Sequence, residues 1–269
     1  MKIIEAIKIR KSVRSYNGEK LSEDVTQKLN AKIASIEIKF GAKVRFEVFN
    51  IDDTSGIKLG TYGVISGAKT YIAAVYEPSK YAQLALGYAF EQIVLYCAQI
   101  GLGTCWLGGT YNKSAFSKAV DLKGNELLPI VSPVGIAAIK QSFMSKVFSK
   151  MSGQYTRKAF ESMFFIGDFN TPLTESSENK FTLPLQMVRI APSASNKQPW
   201  TVLIDNSKVH FYSNGGYATF AQNDIGIALC HFDLTCKELG MNGKIYFDTT
   251  QETNNAKTRK YVVSYEVME

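Results

Sequence analysis

Histidine and cysteine are scarce in this chain, with two and four among 269 residues. His210 and His231 are too few and too scattered for a zinc site. Cys97, Cys105, Cys230 and Cys236 form no CxxC pair. A small disulfide scaffold is therefore excluded, and the thiols read as reduced core residues of a cytoplasmic protein. Long apolar runs are also missing. The most apolar helical stretch, Tyr88 to Leu102, is interrupted by Glu91, Gln92 and Gln99. The opening MKIIEAIKIRKS mixes charge into its apolar residues and has no leader-like run. Neither a membrane partner nor a secretory signal is expected. Acidic residues are absent from Ala137 to Phe160, which holds Lys140, Lys146, Lys150, Arg157 and Lys158.

What is present is a globular composition, 45% hydrophobic and 12% aromatic, able to bury a large core. Net charge is +7, and a second basic cluster (Lys8, Arg10, Lys11, Arg14) lies near the start. Such clusters serve as solvated faces, as nucleic-acid footprints, or as seats for a phosphorylated small molecule. No nucleic-acid motif accompanies them, and the aromatics fall mostly in core-like strands, so no nucleic-acid partner is expected.

The periodicity predicts a short helix through Ile3, Ile4 and Ile7, then a helix capped by Ser22 and running to about Ser35. Strands are expected at Val44–Ile51 and Tyr71–Tyr76, joined by a connection with Gly56, Gly60, Gly63 and Gly67. A long helix follows, ending at Gly101. Gly101-Leu102-Gly103-Thr104-Cys105-Trp106 is not a dinucleotide fingerprint. Its glycines follow a helix, and Trp106 stands where the third glycine belongs. Asn112 caps a helix through Ala119, and Leu127–Ala138 is an apolar run with Pro129 and Pro133. Leu183–Ile190 reads as a helix, and Trp200–Asp205 with Lys208–Tyr212 as a hairpin around Asn206-Ser207. A second long helix starts at Asn223 or Asp224 and ends at Gly240. Strands near Lys244–Asp248 and Tyr261–Val267 close the chain.

The segment APSASNKQPW, residues 191–200, is a polar loop between a helix and a strand. Its amides and backbone N–H groups can read the edge of a planar, acceptor-rich heterocycle. Arg10, Lys11, Ser12 and Arg14 suit a phosphate, because guanidinium groups grip phosphate oxygens bidentately and serine adds a neutral donor. A small residue followed by Pro-Ser and Asn-x-Gln-Pro-Trp resembles the FMN-contacting loop of the nitroreductase family. The Arg-x-Ser-x-Arg run, the Gly108-Gly109 loop and the apolar run with Pro129 and Pro133 are similar to that family as well.

Two segments repeat. LGYAFEQIVLYCAQIGL (86–102) and IGIALCHFDLTCKELGM (225–241) align without gaps, matching Gly87 with Gly226, Cys97 with Cys236 and Gly101 with Gly240. A further match sets Ala31-x-x-Ala34-Ser35 over Ala191-x-x-Ala194-Ser195, each ahead of a strand opening on an aromatic (Phe46, Trp200). The chain reads as two diverged half-copies, about 1–165 and 166–269, interdependent in one nitroreductase-like unit.

The resemblance implies an α+β fold of mixed sheets flanked by helices, the half-copies forming a pseudo-dimer with one FMN per chain. It assigns the FMN phosphate to Arg10, Ser12, Arg14 and Arg157, with Lys11 and Lys158 beside them. Pro192, Ser193, Ala194 and Asn196 border the ring from one side, and Leu107, Gly108 and Gly109 from the other. No side chain is required as nucleophile or general acid, since the flavin carries the chemistry. NAD(P)H is the implied donor, and a nitroaromatic or quinone the acceptor. The alternative is an FMN-binding protein with little turnover. A monomer is sufficient for the site, and further dimerisation stays open.

Overall fold

The computed structural model describes the chain apart from residues 54–58, 152, 154–155, 216–218 and 269. Gly56 of the glycine-rich connection lies outside the described residues. In chain order the helices are α1 (Ile3–Ile9), α2 (Glu23–Ala34), α3 (Ala82–Gln99), α4 (Lys113–Ala119), α5 (Phe143–Met151), α6 (Thr182–Arg189) and α7 (Ala221–Glu238). The strands are β1 (Val44–Asn50), β2 (Thr70–Tyr76), β3 (Gly103–Thr104), β4 (Leu127–Gly135), β5 (Phe164–Ile166), β6 (Trp200–Asp205), β7 (Lys208–Ser213), β8 (Gly243–Tyr246) and β9 (Lys260–Val267). No helix among the described residues is long and apolar enough to cross a membrane.

The chain divides into two compact units, Met1 with Ile9–Gln154, and Lys2–Lys8 with Tyr155–Glu269. Strand β5 belongs to the second unit, where it pairs in parallel with β6 through Phe164–Val202 and Ile166–Ile204. Helix α1 goes with the second unit. The Glu238 carboxylate, at the end of α7, accepts from the Ile3 and Ile4 N–H groups and so satisfies donors at the α1 N-terminus.

In the first unit the sheet order is β1-β2-β4-β3, all antiparallel. Every residue of β2, TYIAAVY, is buried, as befits an interior strand covered on both faces. Helix α3 is buried nearly all round, which explains its even apolar pattern. Tyr71, Tyr111 and Phe116 pack edge to face with centroids 5.3 Å apart from Phe116, and the Tyr111 hydroxyl donates to the Leu128 carbonyl.

In the second unit the order is β5-β6-β7-β9-β8. Phe232 of α7 packs on Phe211, Tyr265 and Phe181, tying the helix to the sheet and to α6. His231 Nδ1 lies 2.9 Å from the Met187 carbonyl oxygen, and His210 Nδ1 2.7 Å from Ser264 Oγ, so both histidines have structural partners. The hairpin turn sits at Asn206-Ser207, with Asn206 at φ 55°, a left-handed conformation that asparagine tolerates.

Without β5 the two sheets share one topology, with β1, β2, β4 and β3 matched by β6, β7, β9 and β8. The long helices match closely. Both α3 and α7 are 18 residues long, and Gly101 and Gly240 take φ of 80° and 79°. Leu102 N donates to Cys97 O at 2.8 Å, and Met241 N to Cys236 O at 2.9 Å, the same C-cap twice. The further match of Ala31–Ser35 with Ala191–Ser195 fails. The first segment is the last turn of α2 and its cap, whereas the second lies in the loop beyond α6. Nor does β1 open on its aromatic, since it starts at Val44.

Candidate functional site

In the first unit, residues 11–16 run extended beside β3. Ser12 bridges to Thr104, and Val13 N donates to Thr104 O at 2.8 Å. Extended backbone alternates its side chains, so Arg10, Ser12 and Arg14 fall on one side and Val13 on the other. Val13 packs so closely on Gly103 that a Cβ there would lie 2.6 Å from Val13 Cγ2. The three polar residues meet around Cys105. Burial raises the thiol's pKa against the pull of the Arg14 charge, a hydrogen bond from Ser12 and the Arg10 charge.

These residues are engaged to different degrees. The Arg10 side chain is 7% exposed, with Nε 4.0 Å from Oε1 of the fully buried Glu91. Glu91 Oε2 accepts from Trp106 Nε1 at 3.0 Å. Burial lowers the Arg10 pKa while Glu91 opposes it. At 4.0 Å the pair is no hydrogen bond, and Arg10 Nε is a buried donor without an acceptor. Arg14 Nη1 donates to Ser149 Oγ of α5 at 3.1 Å. Lys11 is exposed.

Leu107 anchors its loop. It is 2% exposed within the core, and both its N–H and its carbonyl pair with Val131. Gly108 is half-buried and Gly109 exposed. A Cβ on Gly109 would meet nothing within 4 Å, and its φ is not in the left-handed range. Neither packing nor backbone geometry in this protein requires glycine at 109.

In the second unit the basic pair and the 191–198 loop are knit together. Arg157 Nη1 donates to Asn196 Oδ1 at 3.0 Å and Nη2 to Ile190 O at 3.3 Å. Asn196 Nδ2 donates to Thr156 O at 2.9 Å. Gln198 Oε1 accepts from Lys158 N at 3.0 Å, and Lys158 Nζ donates to Gln198 O at 3.1 Å. Burial, then repulsion from Lys197, lowers the Lys158 pKa. The amides of Asn196 and Gln198 thus brace the loop against residues 156–158.

The loop also stores strain. Ser195, Asn196 and Gln198 have φ of 48°, 54° and 47°, three left-handed residues without a glycine among them. Ser193 Oγ accepts from Gln198 N at 2.8 Å, and Ala194 N donates to Asp224 Oδ1 at 3.0 Å. Pro192, Ser193, Ala194 and Asn196 are all half-buried around this turn.

Sequence reasoning missed Glu91, Cys105 and Asp224. Asp224 is 2% exposed in the first turn of α7, and burial lifts its pKa to about 7 against the Ala194 hydrogen bond. Its neighbour Asn223 is 2% exposed with neither amide atom bonded. An acid at a helix start reads from sequence as dipole complementation, and nothing local reveals a partner thirty residues earlier.

Several solved structures resemble this chain. A putative nitroreductase from Thermotoga maritima MSB8 is 22% identical, covers 99% of this chain and 93% of its own, and has a TM-score of 0.64. A putative NADH dehydrogenase/NAD(P)H nitroreductase from Bacteroides thetaiotaomicron is 24% identical, covering 52% of this chain and 89% of its own at a TM-score of 0.42. A nitroreductase with bound FMN from Bacteroides fragilis is 18% identical, with 53% and 94% coverage and a TM-score of 0.40. No curated protein matches the chain. The family model described as "Putative TM nitroreductase" matches residues 2–236, most of the chain, and the Thermotoga structure shares its α+β fold over nearly its whole length. The chain belongs to this nitroreductase family.

Proposed function

We propose that the protein is an FMN-dependent oxidoreductase, taking reducing equivalents from NAD(P)H and delivering them to a small acceptor such as a nitroaromatic or quinone, with one FMN per chain. The observation that carries this reading is the strained 193–198 turn, clamped by Arg157, Lys158 and Asp224, in a chain of the nitroreductase family. Backbone strain held by surrounding bonds is a mark of ligand-binding turns.

The residues suit FMN. Arg10 retains a buried donor without an acceptor, and Lys11, Ser12 and Arg14 add charge and a hydroxyl beside it. Phosphate is the anion such a set binds best. In the second unit, Arg157 and Lys158 are also cations suited to a phosphate, and the family resemblance assigns the turn of Pro192, Ser193, Ala194 and Asn196 to the ring. Gly109 leaves room for a flat ligand to approach the backbone, which a side chain would obstruct. FMN, when bound, supplies the redox chemistry. The chain's own residues bind its phosphate, hold the turn rigid and keep the loop donors in place.

A flavin-binding protein with little turnover is the second reading. The engagement of the Ala194 N–H by Asp224 and of the Asn196 amide by Arg157 and Thr156 favours it, because these groups are committed to the protein. An FMN titration followed by anaerobic NAD(P)H addition separates the two. About one flavin per chain that bleaches supports the reductase. A bound flavin that stays oxidised supports the second reading. Two flavins per chain overturn the single-site proposal, and no binding overturns both.

A further inference from the structure

Among the exposed large apolar side chains, four lie within nine residues of one another: Ile136, Ile139, Phe143 and Met144. Ile139 is fully exposed and Phe143 is 79% exposed. Their backbone is well anchored. Asn17 N donates to Ile136 O at 3.1 Å, Ala138 N to Ser15 O at 2.9 Å, and Ser142 N to Ser15 Oγ at 3.0 Å. On the inner side of α5, Phe148 packs against the first unit's core and Ser149 accepts from Arg14. The apolar group is therefore held outward on a fixed scaffold. Exposed apolar side chains gathered on one anchored segment in this way mark an interaction site.

Lysines frame it. Lys140, Lys146 and Lys150 are exposed, and no acidic residue occurs between Ala137 and Phe160. None of the three lysines makes an ion pair among the described residues.

We propose that the surface formed by Ile136, Ile139, Phe143 and Met144, framed by Lys140, Lys146 and Lys150, docks the protein on a bilayer carrying anionic lipids. Aromatic and aliphatic side chains enter the boundary of headgroups and acyl chains while the lysines meet the lipid phosphates, the combination used by helices lying in the interface plane. A nucleic acid would satisfy the lysines but leave Ile139 and Phe143 in water. A second copy of the chain paired through a twofold axis would set this patch against itself, lysine against lysine, with no acid to compensate. The shortage of long apolar runs argues against a membrane-spanning helix and does not bear on peripheral docking.

The test is flotation of the whole protein with vesicles of phosphatidylcholine, alone or with about a third phosphatidylserine. Binding is expected on the anionic vesicles and is weakened by salt. Replacing Lys140, Lys146 and Lys150 together by Gln lowers it by on the order of a hundredfold, about fivefold for each lysine. The double change Ile139→Ser with Phe143→Ser lowers it at least about tenfold, the loss expected from two withdrawn apolar side chains. Thermal melting of both variants matches the parent, since the replaced side chains are exposed. Phe143→Trp is a second probe, its emission shifting to the blue on anionic vesicles.

Three outcomes overturn the proposal. One is no flotation with either vesicle. Another is binding to DNA that depends on the lysines but not on Ile139 and Phe143, with none to vesicles. The third is self-association without lipid that the serine changes abolish.

Discussion

The Asp224 carboxylate accepts the Ala194 N–H at 3.0 Å through Oδ1, while Oδ2 is buried with no hydrogen-bond partner. One end of the acid thus pins the 191–198 turn, and the other is desolvated without compensation. Burial raises its pKa from the usual 3.8 to about 7. Between about pH 4 and pH 7 the unfolded chain carries an ionised Asp224 and the folded chain a protonated one. The folded state then binds more protons, so this group's contribution falls as pH rises through that window. Above it both forms are ionised and the cost is constant, on the order of 4 kcal/mol. Asp224→Asn removes the titration and keeps an acceptor for Ala194. Urea unfolding at pH 5 and pH 8 should show the parent losing stability relative to the variant. Equal pH slopes would refute the assignment.

Gly109 and Gly103 separate a ligand's demand for glycine from the protein's own. Gly109→Ala adds a Cβ into open space. It should shift stability by no more than about 0.5 kcal/mol while weakening FMN binding at least about tenfold. Gly103→Ala drives a Cβ to within 2.6 Å of Val13 Cγ2 and should cost about 1–3 kcal/mol through overpacking. Melting and FMN titration on each variant test the pair. An unchanged FMN affinity for Gly109→Ala would remove that loop from the proposed site.

Asn196 combines an amide that bonds Arg157 and Thr156 with a φ of 54°. Asn196→Gly loses the amide but keeps the backbone comfortable. Asn196→Ala loses the amide and adds left-handed strain of about 1–2 kcal/mol. The alanine variant should be the less stable by about that amount in urea. Equal losses would mean the turn relaxes out of its left-handed form.

Local structure was legible in the sequence, and long-range partnership was not. The Ser22 and Asn112 caps, the Asn206-Ser207 turn and the glycine stops at Gly101 and Gly240 all depend on residues within a few positions of each other. Helix α5 is not evident from the sequence, because FMSKVFSKM spans only nine residues with serines and lysines among its apolar positions. Strand β5 was missed because three residues carry too little alternation, and its pairing with β6 is distant in sequence. Polarity marked the stretch ahead of Trp200 as a loop, and the structure has it so between α6 and β6. Only tertiary packing shows that the Asn196 and Gln198 amides bind residues 156–158, and that Leu107 faces the core.

Arg10 and Lys11 stand side by side in sequence but predict different phenotypes. Arg10 lies over Glu91, and both are almost wholly buried. Arg10→Gln removes a cation beside the fully buried Glu91 carboxylate, whose Oε2 accepts from Trp106 Nε1, and breaking a buried pair in this way costs about 3–5 kcal/mol. That loss should be visible by urea unfolding without any flavin present. Glu91→Gln in the same background should recover part of it, since the buried negative charge is then gone. Lys11 is exposed, so Lys11→Gln should leave stability within about 0.5 kcal/mol. Any weakening of FMN binding by Lys11→Gln therefore reports on the phosphate seat directly. The same weakening in Arg10→Gln is interpretable only after Glu91→Gln has restored the fold. If Arg10→Gln is as stable as the parent, the pair with Glu91 carries no structural weight, and Arg10 is left to ligand binding alone.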